Sequence, residues 1–139
     1  MIPVVCQVKH DPDAGTYGDC IRACVASILE LTPDQVPHFV HDNCAPVEAN
    51  RRLREFLATL GYAPFVMGFE GSDTLDDVLT HMREQNPNVI YMLFGRTDCG
   101  DHVIVCRGGE VAHDPAWYSS PLIGPGSSGY WAVMVIARS

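Results

Sequence analysis

The sequence is poor in basic residues. Only 9 lysines and arginines stand against 17 aspartates and glutamates, which gives a formal net charge of −8. A protein that binds nucleic acid without regard to sequence needs clustered cations to neutralise phosphates, and an anionic membrane also attracts basic surfaces. The composition therefore argues against nucleic acid and against a membrane as partners.

Long apolar runs are also missing. No stretch approaches the roughly 18 residues that indicate a membrane-spanning helix. The N-terminal sequence MIPVVCQVKHDPD lacks the basic start, the long apolar stretch and the small-residue cleavage site of a secretory signal. We therefore expect a cytoplasmic protein. With 139 residues, 47% of them hydrophobic, the chain is expected to fold as one domain, 1–139, around its own core.

The sequence has no CxxC pair, although it contains six cysteines. They are Cys6, Cys20, Cys24, Cys44, Cys99 and Cys106. Structural zinc sites usually show closely paired ligands, so a zinc-stabilised interaction domain is the weaker alternative, and no metal or cofactor is expected. Reduced thiols are expected because a secretory signal is missing. All but Cys6 and Cys20 are expected to be small buried hydrophobes.

Apolar spacing predicts an α+β fold in which helices lead and an antiparallel sheet follows. Helices are predicted from Cys20, with Asp19 as N-cap, and over 46–60 and 72–85, with a short helix after Thr32. Strands are predicted over 2–8, 62–69, 88–95, 102–108, 110–115 and 130–138, where β-branched and aromatic residues alternate or form short runs. The aromatic residues Trp117, Tyr118, Tyr130 and Trp131 are expected in the core or in the wall of a cleft.

Cys20 occupies the most informative position in the chain, at the predicted start of a helix in GDCIRACVASILEL. Free backbone N–H groups and the helix dipole stabilise a thiolate at such a position. A buried small hydrophobe is the plain alternative. The preceding turn and cap favour a nucleophile instead, since they place the sulfur on the first helical turn.

A histidine and a carboxylate follow far downstream. His102 begins the predicted strand HVIVC, where its ring can lean into a cleft, and Asp114 follows on the next strand in HDP. A cysteine nucleophile, a histidine base and a carboxylate that orients the imidazole are the groups of a thiol-dependent triad. His113 is the alternative base, and Asp101 is the alternative orienting acid.

This order of elements resembles the papain-like cysteine peptidase superfamily, and within it the bacteriocin-processing, double-glycine type of peptidase. The resemblance rests on a helix-borne cysteine in GDCIRAC, a strand-borne His102 and an Asp-Pro pair at Asp114. It implies a papain-like fold in which the cysteine helix packs on a C-terminal antiparallel sheet. It also implies an upstream glutamine that helps to bind the oxyanion, and Gln7 is the only glutamine ahead of Cys20, at a longer separation than is usual in the family.

The resemblance implies a cysteine-dependent hydrolase that acts on an amide, isopeptide or thioester bond of a peptide or protein substrate. Cys20, His102, Asp114 and Gln7 are the predicted site residues. An acyltransferase and a glutamine deamidase would use the same groups, and a non-catalytic peptide-binding module would keep the scaffold alone.

Overall fold

The computed structural model describes residues 1–117 and 121–139, so the predicted core position of Tyr118 lies outside the described residues. Within this part of the chain the fold is α+β, as predicted. The helices are α1 (Cys20–Leu29), α2 (Pro46–Thr59) and α3 (Leu75–Gln85). The strands are β1 (Tyr62–Phe69), β2 (Ile90–Thr97), β3 (Gly100–Arg107), β4 (Glu110–His113) and β5 (Trp131–Arg138). Two short 3₁₀ turns cover Pro12–Ala14 and Pro33–Gln35.

The strands form one antiparallel sheet in the order β1-β5-β2-β3-β4. The hairpin between β3 and β4 turns at Gly108, which has a φ of 54°. A Cβ at this position would lie 2.3 Å from the carbonyl oxygen of Pro87, so the turn requires glycine. This hairpin sets β4, and the residues that follow it, beside β3.

Helices cover both faces of the sheet. On one face α1 and α2 contribute Cys24 and Leu57 to a core that includes Met92 of β2. On the other face Val78 of α3 packs with Leu93, the next residue of the same strand. This alternation follows from the strand pleat, which points successive side chains to opposite faces. Helix α1 packs against β3. The N-terminus of α1 lies near the beginning of β3, close to Gly100 and His102.

The first residues do not form a strand, contrary to the prediction for 2–8. The N–H of Ile2 donates to the carbonyl of Ser27 at 3.0 Å, and the N–H of Cys6 donates to the carbonyl of Pro115 at 2.8 Å. These single bonds go to different parts of the chain, so the segment is anchored without a strand ladder. Apolar alternation does not distinguish such a tethered segment from a strand.

Two expectations about burial are wrong, those for Cys99 and Trp117. Cys99 is exposed because it lies in the turn between β2 and β3, outside the core. Trp117 is 64% exposed, since it follows the sheet in a loop. Trp131 is fully buried, as expected.

Over residues 1–117 and 121–139, no helix is both long and apolar enough to cross a membrane. In the same residues no group of three or more histidine, cysteine or acidic side chains is arranged to hold a metal ion.

Candidate active site

Cys20 is the first residue of α1, at the predicted position. The first N–H groups of a helix have no partner within the helix, so this position faces a concentration of backbone donors. The Cys20 side chain is half-buried, and its sulfur lies 3.2 Å from Nδ1 of His102. Folding therefore brings the predicted nucleophile and the predicted base into direct contact.

His102 is held from its other side by Asp114. Its Nε2 lies 2.8 Å from the Asp114 carboxylate, and the imidazole side chain is only 7% exposed. A carboxylate only accepts hydrogen bonds, so Nε2 carries a proton, and Nδ1 of the neutral ring is an acceptor that faces the Cys20 thiol. The backbone N–H of Ala116 donates to the same carboxylate oxygen at 3.0 Å, which holds Asp114 in place.

The alternative base and the alternative acid are engaged elsewhere. Nε2 of His113 lies 2.7 Å from the carbonyl of Val4, so this ring anchors the N-terminal segment. The Asp101 carboxylate accepts from the backbone N–H and the hydroxyl of Ser127, at 2.8 and 2.5 Å. Of the candidates that the sequence left open, His102 is the base that contacts the Cys20 sulfur, and Asp114 is the acid that contacts His102.

Asp19 occupies the N-cap position of α1, as predicted, but its side chain makes no capping hydrogen bond. Its carboxylate is 1% exposed and accepts from the backbone N–H groups of Gln7 and Val8, each at 3.0 Å. Arg22 donates to the same carboxylate, with its closest nitrogen at 2.7 Å. The Asp19 carboxylate thus connects the N-terminal segment to the start of α1. It supplies the acceptor that the N–H groups of Gln7 and Val8 would otherwise find in a strand.

Gln7 is held beside the helix start through its backbone, but its side chain is exposed. It is not among the described residues that line the cleft at Cys20. The structure therefore brings together Cys20, His102 and Asp114, while the oxyanion role of Gln7 stays a prediction.

Cys6 is the member of this site that the sequence reasoning missed. Its thiol is 3% exposed and donates a hydrogen bond to the Cys20 sulfur at 3.3 Å. This hydrogen bond and burial raise the pKa of Cys6 far above its ordinary value, so Cys6 keeps its proton. Its adjacency to Gln7 is the only sequence signal for it, because no spacing pattern links it to Cys20.

A cleft of about 650 Å³ opens at the Cys20 sulfur. Cys20 and Ile21 line it from α1, and His102 and Val103 line it from β3. Further apolar walls come from Val40, Val66, Phe94, Ala132 and Met134. The half-exposed Tyr130, predicted as core or cleft wall, is also part of this lining. A molecule that enters the cleft therefore meets the sulfur and the imidazole together.

No match to the chain was found among protein-family models, among curated proteins or among solved structures. What the site can do chemically follows from its own side chains. A thiol, an imidazole and a carboxylate lie in hydrogen-bonded sequence beside an open cleft, which is the arrangement that nucleophilic catalysis by cysteine requires.

Proposed function

We propose that the chain is a papain-like, cysteine-dependent hydrolase that cleaves an amide, isopeptide or thioester bond of a peptide or protein substrate. The observation that carries the proposal is the continuous contact from the Cys20 sulfur to Nδ1 of His102, at 3.2 Å, and from Nε2 to Asp114, at 2.8 Å. A buried structural cysteine needs neither partner. The cleft of about 650 Å³ beside the sulfur gives a substrate room to reach it.

The reaction begins when the Cys20 sulfur bonds to the substrate carbonyl carbon and the thiol proton passes to Nδ1 of His102. Asp114 stabilises the imidazolium that forms and keeps the ring oriented. His102 then gives this proton to the leaving amine or thiol as its bond to carbon breaks, which leaves an acyl group on Cys20. Water attacks that thioester while His102 takes its proton, and the free acid and the thiol are released.

The negative charge that develops on the carbonyl oxygen needs donors that are in place before the reaction. The Cys20 backbone N–H is one such donor, because it belongs to the first turn of α1. Gln7 is proposed as the second. Its backbone N–H donates to Asp19, the residue before Cys20, which holds the backbone of Gln7 beside the helix start.

Alkylation by iodoacetamide at mildly acidic pH tests the proposal. Cys20 is expected to react ahead of the other five thiols, because His102 takes its proton. Cys99 is a demanding internal control, since it is exposed to solvent. A hydrogen bond with Asp98 raises the pKa of the Cys99 thiol, so exposure alone does not make it reactive at this pH. Digestion and mass spectrometry would assign the label to each cysteine.

The matched variants are His102→Gln and His113→Gln. His102→Gln is expected to slow alkylation of Cys20 by about 10²-fold or more, the usual contribution of a positioned base. His113→Gln is expected to leave it unchanged. An activated ester should then leave an acyl group on Cys20 in the wild type and in His113→Gln, but not in His102→Gln. Equal reactivity of all exposed thiols, or no acyl adduct on Cys20, would favour the non-catalytic binding module.

A further inference from the structure

The Cys6 and Cys20 sulfur atoms form a pair that the hydrolase chemistry does not require. They lie 3.3 Å apart, although 14 positions separate the two residues. Neither is disulfide-bonded. Among residues 1–117 and 121–139, no other two cysteine sulfurs lie at hydrogen-bonding distance from each other.

Independent contacts hold Cys6 against the nucleophile. Its N–H donates to the carbonyl of Pro115 at 2.8 Å, and the N–H of the next residue donates to Asp19 at 3.0 Å. The Cys6 side chain packs in a small buried cluster with Ala23 of α1 and Ala116, which the Cys20 side chain also touches. Two backbone hydrogen bonds and one apolar cluster therefore determine the distance between the two sulfurs.

We propose that Cys20 is a site of reversible oxidation and that Cys6 is its resolving cysteine. A hydroperoxide transfers one oxygen atom to the Cys20 sulfur, which gives a sulfenic acid and leaves the peroxide as an alcohol or water. The Cys6 sulfur then bonds to the Cys20 sulfur. The S–O bond breaks, and the leaving hydroxyl takes the Cys6 proton and departs as water.

The surroundings of the two thiols suit this division of roles. Cys20 meets a base and an open cleft, so it is the sulfur that a peroxide reaches. Cys6 is closed off from solvent and donates its hydrogen bond to Cys20, so a peroxide reaches Cys20 first. Once Cys20 carries oxygen, its sulfur becomes an electrophile, and the Cys6 sulfur is the nearest one to attack it.

Bond formation requires a small movement. A disulfide has an S–S distance of about 2.05 Å, so the sulfurs must approach by about 1 Å. Cys6 lies in a segment outside the helices and strands, so an approach of this size breaks no strand ladder. The disulfide would block the nucleophile and protect it from further, irreversible oxidation, and an external thiol would restore both cysteines.

The experiment treats the full-length protein with hydrogen peroxide, blocks the remaining thiols with iodoacetamide, and maps tryptic peptides without reduction. Cleavage after Lys9 and after Arg22 places Cys6, Cys20 and Cys24 on three different peptides. The expected product is a link between peptides 1–9 and 10–22, with a mass loss of about 2 Da. Dithiothreitol should remove the link and restore alkylation of Cys20.

Cys6→Ser and Cys6→Ala are expected to lose this protection, so that Cys20 accumulates sulfinic acid, with a gain of about 32 Da. The fraction of Cys20 that dithiothreitol restores should then fall by about fivefold or more. Cys99→Ser, which removes the exposed thiol, is the matched control and should behave as the wild type. The linked peptide is measured on the wild type, so a variant that fails to fold does not remove the test.

Three results would overturn the inference. The first is sulfinic acid that forms on Cys20 of the wild type as fast as it forms in Cys6→Ser. The others are a disulfide from Cys20 to Cys99 instead of Cys6, and a Cys20 thiol that stays reduced while Cys99 is oxidised. None of these readouts depends on substrate turnover. A linked peptide without an acyl adduct on Cys20 would contradict the proposed hydrolase and support the redox pair. An acyl adduct without a linked peptide would support the hydrolase and contradict the redox pair.

Discussion

The Asp114 carboxylate, directly after β4, accepts a hydrogen bond from Nε2 of His102 in β3 at 2.8 Å. This contact determines which ring nitrogen carries the proton, and hence that Nδ1 is the one that accepts from Cys20. A second bond, from the N–H of Ala116, holds the carboxylate in place at 3.0 Å. The reactivity of Cys20 therefore depends on a residue that does not touch it.

Asp114→Asn tests this dependence. An amide can donate to the ring as well as accept from it, so the substitution allows the tautomer in which Nδ1 is protonated and cannot accept from Cys20. We expect acyl-enzyme formation to fall by about 10²–10⁴-fold, while the fold is retained. The measurement is the burst of leaving group from an activated ester. A rate within about twofold of wild type would show that Asp114 does not control the ring.

Gln7→Ala separates oxyanion binding from thiol activation. Loss of one oxyanion donor typically costs about 10²–10³ in rate, so acylation by an ester should slow by that amount. Alkylation by iodoacetamide forms no oxyanion and should be unchanged. The backbone bond to Asp19 is kept in this variant, since it involves only the N–H of residue 7. Equal acylation rates in Gln7→Ala and wild type would show that Gln7 is not an oxyanion donor. The Cys20 backbone N–H would then be the donor that this proposal retains.

Asp19→Ala should destabilise the fold strongly. The carboxylate is 1% exposed, pairs with Arg22 and accepts two backbone N–H groups of the N-terminal segment. Removal of one partner of a buried ion pair costs about 3–5 kcal/mol in the free energy of unfolding, which urea denaturation would measure. Glu48→Ala, which breaks exposed ion pairs on α2, is the control and should cost much less. Similar losses in both variants would contradict this assignment.

His38 should make stability depend on pH. Its Nε2 lies 2.7 Å from the carbonyl of Tyr17, and Nδ1 is buried with no partner among the described residues. Burial lowers the pKa of His38 below its ordinary value of 6.5. Between these two pKa values the unfolded chain binds more protons, so stability is greatest above about pH 6.5 and falls as the pH decreases.

His38→Gln keeps a donor toward Tyr17 and should weaken this decline in the free energy of unfolding between about pH 7.5 and pH 5.5. His81→Gln, a change on the exposed surface of α3, is the control and should keep the wild-type slope. Urea titrations at several pH values supply the comparison. Parallel curves for wild type and His38→Gln would show that another group is responsible.

Most regular elements follow from local pattern. The helix that begins at Cys20 was predictable because a turn and an apolar stripe of helical spacing mark it, and β2 and β3 were predictable because short apolar runs flank a polar turn. The N-terminal segment was not. Its N–H groups bond to Asp19 and to the carbonyls of Ser27 and Pro115, and no local pattern encodes partners that distant.

The choice among the site residues shows the same division. From the sequence, His102 and His113 were both possible bases, and Asp101 and Asp114 were both possible acids. The structure separates them, since His113 contacts Val4 and Asp101 contacts Ser127. Cys6 had no distinguishing pattern at all. Its significance appears only from the 3.3 Å between two sulfur atoms.

The sequence by itself determined the α+β class, the cysteine at a helix start and the types of residue available for thiol chemistry, because helix starts, periodicity and turns are encoded over a few neighbouring positions. Tertiary structure alone decided which histidine meets the thiol, that the Asp19 side chain binds the N-terminal segment instead of the first turn of α1, and that a second thiol lies against Cys20. These relationships depend on distances between segments far apart in the chain, and only packing determines such distances.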